Sequence, residues 1–477
     1  MSHVKKIIKN ISYVTIGEIL TYIATFFIIV LISRKLGDVG LGKYAFVFSF
    51  VNLFAIFSDL GMSTYVTREV AKNLEKKFYF VQRYIKIKLI LAFTSLILPI
   101  LVIPFIDSSL EILLSVAIVS VAIFFYNFMA VYRSIIRAHE KMIYISLSDL
   151  IGSLFFLLGA FIILTYTKSL VLLLIMAAIG YFLSFIAMSL LFRRIVKKIG
   201  TWKLNFKELK EILSHSIPFW FTLLFLEIYF RIDTVMLSIM QNYQATGWYN
   251  AAYRIIEVLT RFAYIFVVTL FPAMSRFFGE NKKEALQSLF NNALYYLFIL
   301  ALPLAVGGTI IAKQLIFFVY GAAFSNSVFA LQILIWVLLF TYLIFFSGNF
   351  LNAINKQKLY TISVGLGTLS NIILNILLIP KYSYIGASIA TLATNALNFT
   401  MLYYFITKNN YKITLLKNLA RPIIAVVIMA AVVIFMAEIK LHLLIIIPFA
   451  AMAYFATLIL IKGLDIKGIL RMAFKSK

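Results

Sequence analysis

Long runs of mostly apolar residues alternate with short polar stretches along the whole chain. A helix needs about 20 apolar residues to cross the hydrocarbon core of a bilayer, and fourteen runs approach or exceed that length. Six lie at 11–32, 42–66, 89–106, 112–132, 143–166 and 170–192, and six more at 217–239, 247–271, 293–319, 328–351, 359–379 and 385–406. A last pair, 422–437 and 441–461, is nearly free of polar residues and is expected to face lipid at the periphery. The pattern predicts an all-α polytopic membrane protein with about 14 transmembrane helices. Between the two sets of six, the basic segment 193–216 holds Asn205 and Glu208 as a capping pair, with Leu209, Ile212 and Leu213 at helical spacing. It predicts an amphipathic linker on the cytoplasmic side. The expected organisation is a first lobe at 1–199, a linker at 200–216, a second lobe at 217–410, and two extra helices with a basic tail at 411–477.

Composition agrees with a bilayer as solvent: 63% of the 477 residues are hydrophobic, 13% are charged and the mean hydropathy is +0.99. A net charge of +26 would suggest nucleic acid in a soluble protein, but here the basic residues sit between apolar runs, so no nucleic-acid partner is expected. Lys and Arg are retained in cytoplasmic loops during insertion. With both termini cytoplasmic, 34 of the 44 basic residues fall inside, seven outside, and Arg231, Arg254 and Arg261 lie within spans. The first run follows Lys5, Lys6 and Lys9 but is long, carries Glu18 and lacks a small-residue cleavage site, so it reads as a retained helix rather than a signal peptide. The short external loops leave no room for an external catalytic domain.

The two sets of six also resemble each other. Gly42-Lys43-Tyr44 and Gly247-Trp248-Tyr249 each open a run, 205 residues apart, and 137–141 and 352–356 each close one, 215 residues apart. An even number of spans per unit makes the repeats parallel. Two parallel, pseudo-symmetric six-helix bundles follow, an arrangement in which transporters place substrate between the repeats.

Enzyme chemistry has few residues to carry it. There is no cysteine, and His3, His139, His215 and His442 have no zinc spacing and no partner nucleophile at a recognisable interval, so neither a metal nor a cofactor is expected. The segment 37–43 fits the spacing of a phosphate-binding P-loop, but Tyr44 stands where magnesium needs Ser or Thr, and no strand precedes it.

Charges inside apolar runs cost about 2.5–3.5 kcal/mol each at a helix centre and mark cavities or ion paths. Glu18, Asp59 and Asp149 lie about two turns from the predicted cytoplasmic ends of their runs, where they could couple to a cation or pair with interfacial Lys and Arg. Glu227, Arg231 and Asp233 in the seventh run, with Arg254, Glu257 and Arg261 in the eighth, form stripes at helical spacing and predict an ion network or a substrate site. A guanidinium facing a cavity suits phosphate, because its planar fork donates two parallel hydrogen bonds and stays charged when partly desolvated. Asn371, Asn375, Asn395 and Asn398, with Asn349 and Asn352, add amides that suit sugar hydroxyls or join membrane helices.

Several stretches resemble the polysaccharide-transporter and O-antigen (Wzx-type) flippases of the multidrug/oligosaccharidyl-lipid/polysaccharide exporter superfamily. They are 216–218, 231–233, 247–254, 271–276 and 357–392, with 34–37, 42–45 and 59–63. The resemblance implies two bundles around a cavity that opens alternately to each membrane face, carrying a polyprenyl-pyrophosphate-linked oligosaccharide. Arg231, Arg254 and Arg261 would attract the pyrophosphate, and Asn371, Asn375 and Asn395 would complete the substrate site. Glu18, Asp59, Asp149, Glu227, Asp233 and Glu257 would serve ion coupling or the network, with H+ or Na+ as the ion and polysaccharide assembly proteins as partners. The rival readings are a multidrug and toxin extrusion antiporter and a lipid-linked peptidoglycan precursor flippase, with a membrane glycosyltransferase further off.

Overall fold

The computed structural model describes residues 3–73, 77–196, 206–414 and 419–464; the side chains of 3–16, 18, 77–82, 206–209, 211, 218 and 219 lie outside that description. Asn205 and Glu208, the expected capping pair, and the basic tail beyond 464 therefore fall outside it. Among the described residues every regular element is helical. The order is α1 (His3–Ala55), α2 (Met62–Lys72), α3 (Lys77–Val102), α4 (Leu110–Phe128), α5 (Ala130–Ala138), α6 (Ile143–Tyr166), α7 (Leu170–Arg193), α8 (Phe206–Met240), α9 (Tyr243–Gly279), α10 (Lys283–Ile310), α11 (Ala312–Val319), α12 (Ser327–Leu334), α13 (Val337–Ala353), α14 (Gln357–Lys408), α15 (Ala420–Glu438) and α16 (Leu443–Leu460).

Ten of these are long and apolar enough to cross a membrane, or eleven if α12 and α13, bent by 40°, form one span. The expected fourteen are not reached by that criterion. α1 and α14 count once each although each contains two expected spans, and α8, which holds the seventh, is not among the ten. Length shows that α1 and α14 are divided. At 1.5 Å per residue, 53 and 52 residues of helix reach about 80 Å, more than twice the roughly 30 Å of hydrocarbon. Each carries a break where the chain turns back: Gly37 at φ 72°, ψ −167°, and Ser383 at φ 51°, ψ −132°.

The helices gather into two compact units, 1–250 and 251–477. In the first, small residues bring backbones together, as they must where lipid offers no hydrophobic drive for association. A Cβ on Gly152 of α6 would lie 2.0 Å from Ser184 Oγ and 2.5 Å from the Gly180 carbonyl of α7, and one on Gly17 of α1 would lie 2.3 Å from Ser146 Cβ of α6. A core cluster joins Met62, Val66 and Val70 of α2 to Tyr84 of α3, Ile135 of α5 and Phe192 of α7. The opposite face of α6 exposes Leu147, Ile151, Leu154 and Leu158, a stripe for lipid.

In the second unit, α15 and α16 pack on α10 through Ile299, Val426, Met429 and Leu458. Pro303 of α10 has no N–H to donate to the carbonyl four residues back. Tyr454 of α16 donates its hydroxyl to that carbonyl, Ile299 O, at 2.9 Å, which satisfies a backbone group that lipid could not.

The sequence repeat has a structural counterpart at both of its motifs. Glu140 and Asn355, 215 residues apart, take left-handed φ of 55° and 59°. Lys141 N then donates to Ile136 O (3.1 Å) and Lys356 N to Leu351 O (2.8 Å), the same six-to-one closure after α5 and α13. Within the first unit, the two glycine motifs meet each other. A Cβ on Gly42 would lie 1.7 Å from Tyr243 O, and one on Gly247 would lie 2.0 Å from Asp38 O, so each glycine abuts the backbone four residues before the other.

Candidate functional site

The charges expected in the seventh and eighth spans occupy α8 and α9. Arg231 Nε donates to Glu227 Oε1 at 3.1 Å, one turn earlier on α8, and Arg254 Nη1 donates to Glu257 Oε2 at 2.6 Å on α9. Both pairs stay accessible, with side chains 29% and 31% exposed in the first and 22% and 36% in the second. A partly hydrated ion pair between neighbours on one helix contributes little to stability. Its value is to hold a guanidinium in place while leaving it partly exposed. Arg261, two turns beyond Arg254, is exposed. Asp233, by contrast, is buried and accepts a hydrogen bond from Tyr249 Oη at 2.8 Å, so it joins α8 to the start of α9.

The acidic trio does not converge on one site among the described residues. Glu18 has its side chain outside them. Asp59 follows a 3₁₀ turn and precedes α2, and its Oδ2 accepts from Ser63 N (3.2 Å) and Ser63 Oγ (2.5 Å), capping that helix. Its Oδ1 accepts from Tyr84 Oη (2.9 Å) and Lys88 Nζ (2.8 Å) of α3. The sequence pattern puts Lys88 in a cytoplasmic loop, whereas in the structure it is fully buried in the helix. Asp149 of α6 accepts from Arg133 Nη2 of α5 at 2.5 Å. Arg133, likewise expected in a loop, is 8% exposed. Sequence reading misses both cations because they stand at the margins of apolar runs, where a basic residue normally reaches the interface; the signal for each is a carboxylate at similar depth on a neighbouring helix.

In the second unit Asn395 and Asn398 join helix segments, while Asn349, Asn371 and Asn375 bond within their own helices. Asn375 Nδ2 donates to Asn371 Oδ1 at 3.1 Å along the first half of α14. Asn395, in its second half, accepts from Thr341 Oγ1 of α13 at 3.2 Å and donates to Thr391 O at 2.8 Å. Asn398 accepts from Ser363 Oγ, tying the two halves of α14 together, and Asn349 Nδ2 donates to Phe345 O at 2.9 Å. Asn371, Asn375 and Asn395 are at most 4% exposed. The same unit holds a cavity of about 900 Å³ lined by Phe266, Leu270, Tyr296, Leu300 and Phe455, with Arg276 as the one charged lining residue among those described.

At the end of the first unit that the charge pattern assigns to the outside, side chains lock the glycine seam. Asp38 Oδ2 accepts from Trp248 Nε1 and Gln244 Nε2, both at 2.9 Å, and Asp107 Oδ2 accepts from Tyr243 Oη at 2.5 Å. Burial tends to raise the Asp107 pKa, but hydrogen bonds from Ser109 and Tyr243 outweigh it and hold the carboxyl below its ordinary range. Lys43, the would-be P-loop lysine, donates to Glu111 Oε2 at 2.5 Å, and the loop's Gly37 marks the break in α1.

Comparison with known proteins gives these features a family. The model of a polysaccharide biosynthesis protein family matches residues 7–278, and that of the MatE family matches 218–377. A probable low-salt glycan biosynthesis flippase of Haloferax volcanii, Agl15, is 23% identical over 179 residues; the match spans 38% of each chain. The capsular polysaccharide biosynthesis protein CapF of Staphylococcus aureus is 24% identical over 406 residues, 83% of this chain and 98% of the relative. Among solved structures, a lipid II flippase, MurJ, in an inward closed conformation covers 94% of this chain and 99% of its own, with a TM-score of 0.77 and 20% identity.

Proposed function

The chain belongs to the polysaccharide biosynthesis protein family, and from that premise we propose that it is a flippase that moves polyprenyl-pyrophosphate-linked oligosaccharide across the cytoplasmic membrane by alternating access. It is a multi-pass membrane protein, and transport rather than bond-making is its role. One observation carries the substrate class: Arg231 and Arg254, inside apolar runs of α8 and α9, are held by Glu227 and Glu257 yet stay partly exposed. Such guanidiniums can exchange part of their intrahelical pairing for a pyrophosphate without crossing a large desolvation barrier. Moving a sugar head group through hydrocarbon would strip its hydroxyls of hydrogen bonds at several kcal/mol each, and a polar path through the protein replaces those partners. Part of the prenyl chain suits the apolar cavity beside Arg276. Both termini lie in the cytoplasm on this reading, and an H+ or Na+ gradient drives the step.

The match to the MatE model favours the antiporter as the second reading, but cavity arginines are poor hosts for organic cations. In proteoliposomes, a polyprenyl-pyrophosphate oligosaccharide placed in one leaflet should lose protection from an impermeant glycan-modifying enzyme only when the protein is present. Arg231→Ala is expected to slow that loss about tenfold, the worth of one charge-assisted contact. Ion-coupled efflux of an organic cation with no lipid movement would instead establish the antiporter.

A further inference from the structure

A second polar cluster lies inside the first unit, away from α8 and α9. Tyr126 of α4 is 39% exposed and the Asp149 side chain 29%, although both belong to helices whose lipid-facing stripes are elsewhere. On α4 the exposed apolar stripe is Leu110, Leu114 and Val121. At 3.6 residues per turn, Tyr126 lies about 140° around the helix from it. Asp149 lies about 160° from the Leu147–Ile151–Leu154–Leu158 stripe of α6, and Tyr181 about 180° from the Leu172–Ile179–Ile186–Leu190 stripe of α7. Those faces are therefore turned away from the apolar stripes of their own helices.

The cluster is held from behind. The Arg133 guanidinium carbon lies 4.5 Å from the centre of the Tyr126 ring, while its Nη2 binds Asp149. Tyr181 meets Tyr126 edge-on at 5.7 Å. Asp149 Oδ1 is taken by Arg133, and its Oδ2 accepts no hydrogen bond among the described residues. Arg133 Nε is buried with no hydrogen-bond partner among the described residues, a cost the fold bears to keep this arginine under the ring.

We infer that Tyr126 and Asp149 form a subsite for one sugar ring of the carried glycan, with Arg133 as the positioning residue behind them. A sugar offers a flat C–H face for the tyrosine and hydroxyls for the open carboxylate oxygen. Arg133 sits behind the ring and a second arginine, Arg137, also acts on Asp149, so an organic cation meets two positive charges, while a polyol meets no repulsion. This inference rests on the flippase reading for its substrate and assigns the glycan a place distinct from the arginines of α8 and α9.

The test is binding of a panel of fluorescently labelled, water-soluble oligosaccharides of hexoses, N-acetylhexosamines and uronic acids to the detergent-solubilised full chain. At least one should bind, and Tyr126→Ala should weaken it about tenfold, whereas Tyr126→Trp, which keeps the aromatic face, stays within about threefold. Arg133→Lys should retain binding and Arg133→Met should lose it, a rescue that a merely structural role would not give if the melting temperatures match. Bare polyprenyl pyrophosphate should bind the wild type and Tyr126→Ala equally. No binding by any member of the panel, or equal binding by Tyr126→Ala, overturns the subsite. Glycan binding that depends on Tyr126, in a protein that neither binds nor moves the lipid pyrophosphate, upholds the subsite and removes the flippase reading.

Discussion

Lys88→Met is expected to lower stability by about 3–5 kcal/mol, the loss typical when one partner of a buried ion pair is removed and the other charge is stranded. Lys88 is 1% exposed at its side chain, and its ammonium lies 2.8 Å from Asp59 Oδ1. Methionine matches its length but leaves the carboxylate with only the hydroxyls of Tyr84 and Ser63 and one backbone N–H. The loss reaches beyond the pair, because Asp59 also caps α2, whose Met62, Val66 and Val70 build the core cluster with Tyr84. The double variant Asp59→Asn/Lys88→Met removes both charges and should recover most of the loss, since the amide can accept from Ser63 through Oδ1 and donate through Nδ2 to the Tyr84 hydroxyl. Melting temperatures of the solubilised protein measure both. A single variant within about 1 kcal/mol of wild type, or a double variant as unstable as the sum of its singles, rules out this account of the pair.

Gly42→Val should be more damaging than any other single change on the predicted outer side of the first unit. Its Cβ would lie 1.7 Å from the Tyr243 carbonyl oxygen, a backbone atom that cannot swing aside as a flexible side chain can. The start of α9 must move, and the hydrogen bonds of Asp38 to Trp248 and Gln244 and of Asp107 to Tyr243 must break with it. Overpacking of this kind costs about 1–3 kcal/mol or more where the backbone must shift. The readout is accessibility of this seam, followed by labelling a cysteine introduced at the buried Ala245 with a membrane-impermeant thiol reagent, which the cysteine-free chain permits. Labelling should rise several-fold in Gly42→Val and also in Gly247→Val, whose Cβ would lie 2.0 Å from Asp38 O. Unchanged labelling in both would mean that the seam does not close this face.

Much of the fold is legible in the sequence because a bilayer imposes a simple rule: a spanning segment must be long, apolar and helical. The runs at 143–166 and 170–192 match α6 and α7 to within a residue for that reason. The repeat is legible too, since the same turn recurs at Glu140 and Asn355 and demands similar residues around it. The breaks at Gly37 and Ser383, with the turn-back they allow, follow less directly; Ser383 has no glycine to mark it. For the site, sequence identifies Arg231 and Arg254, because charges in an apolar run stand out by their cost, and their helical spacing to Glu227 and Glu257 gives the pairs. It could not tell that Asp59 and Asp149 are held by Lys88 and Arg133, since those contacts join helices 29 and 16 residues apart. Nor could it show that Asn395 and Asn398 of α14 join helix segments.

By itself, then, the sequence determined the solvent of this protein, its helical class, its internal repeat and the charges that must be explained, because each is set by transfer energy summed along one segment. Only the tertiary structure decided which of those charges are neutralised by a neighbour, which remain open to water, and which aromatic faces stand beside them. Pairing depends on distances of a few ångströms between helices far apart in the chain, and no local pattern encodes those.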